Sequence, residues 1–104
     1  MTRRLDPDEI SRQLLELPDW TCGGDGDAIE ATFAAPDFLT AIRLVAEAAD
    51  VAEEMNHHPD IDIRWRITHW LLTTHDVGGL SQLDIEQAHR ISALARQFNA
   101  VSAR

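Results

Sequence analysis

The chain has 104 residues, 44 % of them hydrophobic, and a formal net charge of −9, with nine basic residues that are all arginine. That length suits one domain, 1–104, with a single small core whose stability can lean on association. The acidic balance repels phosphate backbones and excludes direct DNA or RNA binding, and no apolar run approaches the roughly 20 residues that cross a bilayer.

The first stretch, "MTRRLDPDEI", carries no apolar run after its arginines and so does not read as a signal peptide. "LDPDEISRQLLEL" has the pattern of a helix. Asp6 suits the N-cap, Pro7 the first helical position and Glu9 the capping box, with Ile10, Leu14 and Leu17 on one face and Pro18 as the stop. "WTCGGDGDAIEATF" predicts a hairpin turning between Gly23 and Asp27, in which Ile29, Ala31 and Phe33 alternate with Glu30 and Thr32. The single cysteine, Cys22, lies in that turn region, allows no intramolecular disulfide and fits a reducing, cytoplasmic setting.

"APDFLTAIRLVAEAADVAEEMNHH" is the longest helical signal. Asp37 is its N-cap, and Phe38, Ile42, Val45, Ala49, Ala52 and Met55 form an apolar stripe. Pro59 disfavours helical geometry at His58, so the helix should end near His57. "DIDIRWRITHWLLTTH" reads as extended chain that is apolar on both faces. Trp65, Ile67 and Leu71 lie on one face, and Thr68, Trp70 and Leu72 on the other, which predicts cover on both sides, the second from another subunit. "DVGGL" is a loop. "SQLDIEQAHRISALARQF" is a final helix with Ser81 as N-cap, Asp84 at the capping-box position, and Ile85, Ala88, Ile91, Ala95 and Phe98 facing inward. The tail "NAVSAR" is expected to fray. The fold class is therefore α+β: a four-stranded antiparallel sheet with three helices packed on one face, in the order α-β-β-α-β-β-α.

Two adjacent histidines, His57 and His58, stand where a helix hands over to extended chain, and their side chains can reach a cleft there. Glu53, four residues before His57, shares its helix face. A carboxylate beside an imidazole fixes its orientation and favours its protonated form. His75 closes the extended segment beside a glycine loop, a common home for reactive side chains. Histidine is the side chain suited to proton transfer near neutral pH. A metal centre is the rival reading, since three histidines and a carboxylate can bind zinc or iron. The chain has no HExxH, however, and adjacent residues leaving a helix point in different directions, so no metal is assigned.

Glu53, three spacers, His57-His58-Pro59, then Trp65, His75 and Asp84, at these spacings, resemble the signature of the pterin-4a-carbinolamine dehydratase family. The similarity extends from about Leu5 to Phe98 through Trp20, "PDFLTAIRLV", "TTHDVGGL" and "LDIEQA". The resemblance implies a hydro-lyase, 4a-hydroxytetrahydrobiopterin dehydratase, which removes water from 4a-hydroxytetrahydropterin to give quinonoid dihydropterin in pterin recycling. It implies no metal or organic cofactor, a small-molecule pterin as partner, and a homodimer or homotetramer.

By the same resemblance His57, His58 and His75 are catalytic, with His57 and His75 moving protons and His58 mainly holding the pterin. Glu53 and Asp84 orient imidazoles, Pro59 sets the turn, and Thr74, Asp76 and Val77 touch substrate beside His75. Trp20 covers a pterin face, against the alternative of a core position. Asp84 is equally explained as a helix cap, and Trp65 as packing. His69 and His89 fall outside the signature. Ile67, Leu71 and Trp70 are more apolar or bulkier than the family pattern, which bears on the assembly. The competing class is a non-enzymatic assembly or dimerisation partner on the same fold, which would need no intact acid–base set.

Overall fold

A computed structural model describes residues 2–103, so Met1 and Arg104, the outermost residues of the first stretch and of the tail, lie outside it. The elements run α1 (Pro7–Leu14), β1 (Thr21–Gly23), β2 (Ala28–Ala34), α2 (Phe38–Met55), β3 (Asp60–Arg64), β4 (Ile67–Leu72), a 3₁₀ turn (His75–Val77), α3 (Gln82–Gln97) and β5 (Val101–Ser102). The sheet is antiparallel, in the order β1-β2-β4-β3, with β5 also paired to β2. The expected three helices and four strands are present, and β5 is added to them.

Each helix starts where its side chains satisfy the free N–H groups of the first turn. Asp6 and Glu9 form a reciprocal capping box on α1, Asp37 accepts from Thr40 N–H at the start of α2, and Ser81 and Asp84 form a second box on α3. Helix α1 ends at Leu14, short of Pro18.

Along β2, Ile29, Ala31 and Phe33 are buried, and along β4, Thr68, Trp70 and Leu72; these pair across the strands as Ile29 with Leu72, Ala31 with Trp70 and Phe33 with Thr68. Together with Leu44, Ala48, Ile85, Ala88 and Ile91 of the helices they make one core. The two buried tryptophans keep their N–H groups bonded, as burial requires: Trp20 donates to Ser92 Oγ at 2.8 Å and Trp70 to Thr68 Oγ1 at 2.9 Å.

Three expectations are corrected, the packing role of Trp65, the phase of α2 and the frayed tail. The extended segment forms the second pair of strands in the expected order. It folds back at Trp65–Arg66, with Arg64 paired to Ile67, and Trp65 carries the positive φ of 57° that a two-residue turn needs at its first central position. Only the face holding Thr68, Trp70 and Leu72 is buried, while Ile67, His69 and Leu71 are half-buried on the other. Trp65 is exposed at the turn, with the Arg66 guanidinium 5.2 Å from its ring centre, and so is not a packing residue.

The apolar stripe of α2 is rotated. Ala41, Leu44, Ala48, Val51 and Ala52 are buried, while Phe38 is 51 % exposed and Ile42 36 % exposed. Both stripes have helical spacing. The large side chains pointed to one phase, but the alanines permit the closer approach to α3 and the sheet. Finally, residues 100–103 of the tail pack and pair against β2. Val101 pairs with Ala34 and Ser102 with Phe33, Ala103 N–H donates to Thr32 O at 2.8 Å, and Ala100 is buried.

The end of α2 sets up everything that follows. Asn56 takes a left-handed φ of 50°, and the N–H of His57 returns to Ala52 O at 3.0 Å, closing the helix in a Schellman-type turn. Asparagine tolerates this conformation better than most residues do. Asn56→Ala is expected to cost about 1 kcal/mol of stability, while Asn56→Gly stays within about 0.5 kcal/mol of the parent, read from urea midpoints.

Candidate active site

The sequence places His57 just past the α2 cap, and α3 comes back beside it. The His57 ring Nε2 lies 2.6 Å from Asp84 Oδ1. Asp84 Oδ2 accepts from Thr74 Oγ1 at 2.6 Å and from Ser81 N–H at 2.9 Å, and Thr74 Oγ1 lies 2.8 Å from Ser81 Oγ. One carboxylate therefore ties the end of α2, the end of β4 and the start of α3 together. The two roles weighed for Asp84, helix cap and imidazole partner, are held at once by its two oxygens.

Because a carboxylate only accepts, Nε2 of His57 carries the hydrogen in this bond. Nδ1 then bears the lone pair, and it makes no hydrogen bond among the described residues. Nδ1 is thus the ring atom of His57 left available to a ligand.

Glu53 does not meet His57. It sits 2.5 Å from Nε2 of His58, because the left-handed turn at Asn56 swings His57 toward α3 and leaves His58 beside the helix end. The two pairs differ in burial. The side chains of His57 and Asp84 are 10 % and 0 % exposed, those of His58 and Glu53 58 % and 77 %. A pair as exposed as the second contributes about 0–1 kcal/mol and holds its imidazole loosely.

His75 opens the 3₁₀ turn directly after Thr74, the residue bonded to Asp84. Thr74 N–H donates to Gly79 O at 2.9 Å, closing a loop with His75 and Asp76 exposed and Val77 half-buried. Gly78 ends the turn with a φ of 65°. The side chain of His75 makes no hydrogen bond among the described residues. Pro59 is half-buried and leads into β3.

Trp20 is elsewhere in kind. It is 3 % exposed, bonded to Ser92 and edge-on to Phe33, with ring centres 6.4 Å apart, which is the core position weighed against a ligand contact. His69 bonds Thr32 at 2.8 Å on the half-buried sheet face, and His89 is exposed on α3.

Two members of this network lie outside the spacing signature. Ser81 joins it as well as capping α3. Gln87 is buried and its Nε2 donates to the main-chain oxygen of His57 at 2.5 Å. The available signal was the polarity of Asp84 and Gln87 on a helix face otherwise made of Ile85, Ala88 and Ile91. An open groove of about 810 Å³ lies between the N-terminal segment at Arg3 and Leu5 and the face of α3 at Leu83 and Glu86. It contains none of the three signature histidines, and its arginines are already paired, Arg3 with Glu9 and Arg90 with Glu54. No group of three or more His, Cys, Asp or Glu among the described residues is arranged to hold a metal ion.

Removing the Asp84 carboxylate breaks a helix cap and a buried bond together. Asp84→Ala should lower unfolding free energy by about 2–4 kcal/mol in urea titrations, and Glu53→Ala by less than about 1 kcal/mol.

Comparison with known proteins places the chain in one family. The sequence profile described as "Pterin 4 alpha carbinolamine dehydratase" matches residues 3–94. Candidate pterin-4-alpha-carbinolamine dehydratases from Nocardia farcinica and Thermosynechococcus vestitus are each 47 % identical to the chain over 95 residues, covering 91 % of it and 98 % of the relative. Among solved structures, the transcriptional coactivator/pterin dehydratase from Brucella melitensis superposes with a TM-score of 0.87 at 33 % identity, covering 89 % of this chain and 99 % of that one. With the matched region holding the whole network, from Glu53 through Gln87, the chain belongs to the pterin-4a-carbinolamine dehydratase family.

Proposed function

We propose that this protein dehydrates 4a-hydroxytetrahydropterin to quinonoid dihydropterin by histidine general acid–base catalysis, in a cytoplasmic setting. The observation that carries the reading is the Asp84 carboxylate. It fixes His57 with Nδ1 free and holds Thr74, the residue next to His75, through its other oxygen.

The substrate carries a hydroxyl and a ring nitrogen on one carbon. A protonated imidazole gives its proton to the hydroxyl, and the C–O bond breaks as water leaves. The nitrogen lone pair fills the vacated position, and a second imidazole removes a ring proton, so charge and atoms balance. Each positioned proton transfer is worth about 10²–10⁴-fold. His57 and His75 carry the protons. His58, exposed and bonded to Glu53, contributes binding, and Pro59 sets the direction in which it leaves the helix. The backbone and side chains of Thr74, Asp76 and Val77 line the approach to His75. Trp20 contributes through the core. These roles call for no metal or organic cofactor.

Assembly belongs to the same proposal. Phe38, Leu39 and Ile42 present an exposed apolar face at the start of α2, on which a homodimer or homotetramer would form. Light scattering at micromolar concentration should give at least twice the monomer mass, with about 800 Å² or more buried per subunit. A monomer would overturn this part. The same face is the observation that favours a second reading, docking of a different protein, and the Brucella melitensis neighbour is described as a transcriptional coactivator as well as a pterin dehydratase.

The decisive assay follows dehydration of chemically prepared 4a-hydroxytetrahydropterin by ultraviolet absorbance, with and without a chelator. Activity should persist with the chelator. His57→Ala and His75→Ala should each lower kcat by roughly 10²-fold or more, and the double variant should lose far more, while His58→Ala mainly raises KM. His69→Ala and His89→Ala should stay near the parent. A folded double variant that keeps most of its kcat would sink the assignment, and so would chelator inactivation reversed by zinc or iron.

A further inference from the structure

Gln87 has no task in the proton scheme, yet its burial is costly. It sits on α3 one turn after Asp84, 1 % exposed, among Ile85, Ala88 and Ile91. Its Nε2 donates to His57 O, and its Oε1 meets no hydrogen-bond partner among the described residues. Turning the amide over would set Oε1 against the carbonyl of His57, two acceptors face to face. The bond to His57 therefore decides which end is orphaned. A leucine or methionine would fill the same space and leave no side-chain acceptor unpaired. What the glutamine adds at this position is its grip on His57.

We propose that Gln87 is a positioning residue for His57, a role that rests on the reading of His57 as a proton carrier. Residues 84 and 87 lie on one face of α3, and from there they hold His57 at two points, Asp84 at the ring Nε2 and Gln87 at the main-chain oxygen. The third anchor is the main-chain N–H, bonded to Ala52 O. Main chain and ring are both fixed, so the lone pair on Nδ1 keeps one direction. Among the described residues no comparable anchoring holds His58, whose side chain bonds the exposed Glu53.

The test uses the whole protein and two variants. Gln87→Met keeps the volume and removes both the donor and the orphaned acceptor. Gln87→Glu keeps the shape but faces the His57 carbonyl with an acceptor whenever it is ionised. Three quantities are read: the ¹⁵N signals of the His57 imidazole without substrate, kcat and KM for dehydration, and the thermal midpoint. Gln87→Met should melt within a few degrees of the parent, show shifted or broadened His57 ring signals, and lose about tenfold in kcat with KM within about twofold. Gln87→Glu should be more impaired at neutral pH and recover toward acid pH, where its protonated carboxyl can donate. Unchanged His57 signals with kcat within about twofold in folded Gln87→Met would overturn the proposal, and so would a kcat loss that only follows the loss of folded protein. If the parent itself does not dehydrate the pterin but the His57 signals still move in Gln87→Met, the reaction reading fails and the anchoring of His57 stands.

Discussion

A single buried carboxylate holds the candidate site together. Asp84 is fully buried and accepts three hydrogen bonds, one each from the residue after the α2 cap, the end of β4 and the N-cap of α3. Burying an unpaired charge costs several kcal/mol, so such a group persists only when its surroundings satisfy it. That condition constrains its neighbours. Ser81 and Thr74 must present donors, His57 must keep its hydrogen on Nε2, and α3 must start where it does. The start of α3 also favours a negative group, because the free N–H ends of a helix point there.

This constraint divides the histidines by environment before any substrate is considered. His57 is buried and anchored at ring and main chain. His58 is exposed and leans on an exposed glutamate. His75 is carried on a short loop whose base is pinned through Thr74. On the proposed reading, the anchored ring suits a step that needs fixed geometry, and the exposed ring suits a contact that adapts to a ligand. The loop histidine stays accessible without losing its place, because the Thr74–Gly79 pairing closes the loop behind it.

The surfaces away from the site follow from which side chains could be buried densely. In α2 the alanines at 41, 48 and 52 face inward, so the helix approaches closely and Phe38, Leu39 and Ile42 are left outside. In the sheet, the face bearing Ile67, His69 and Leu71 is half-covered, and there His69 is held between Thr32 and Glu30. The acidic surface and these apolar patches are separate features. The first is a matter of net charge, and the second of which side chains the fold leaves uncovered.

The three helices and their starts were legible in the sequence because caps and turns are local physics. Asp6, Asp37 and Ser81 begin helices with their own side chains, glycines and aspartates turn the first hairpin, and Pro59 forbids α2 to run on. The signature histidines and Asp84 were legible too, as residue types at fixed spacing. The pairing among them was not. Spacing on a helix suggested Glu53 with His57, but one left-handed residue, Asn56, redirected His57 to a carboxylate 27 positions away. The phase of α2 was equally undecided, since two stripes share its period and only the space left by α3 and the sheet selects the alanine one. The tail became a strand because β2 offered it an unpaired edge. Gln87 acquired its partner only when α3 packed beside the end of α2. Local preference is written residue by residue, whereas a contact between distant segments exists only once packing has brought them together.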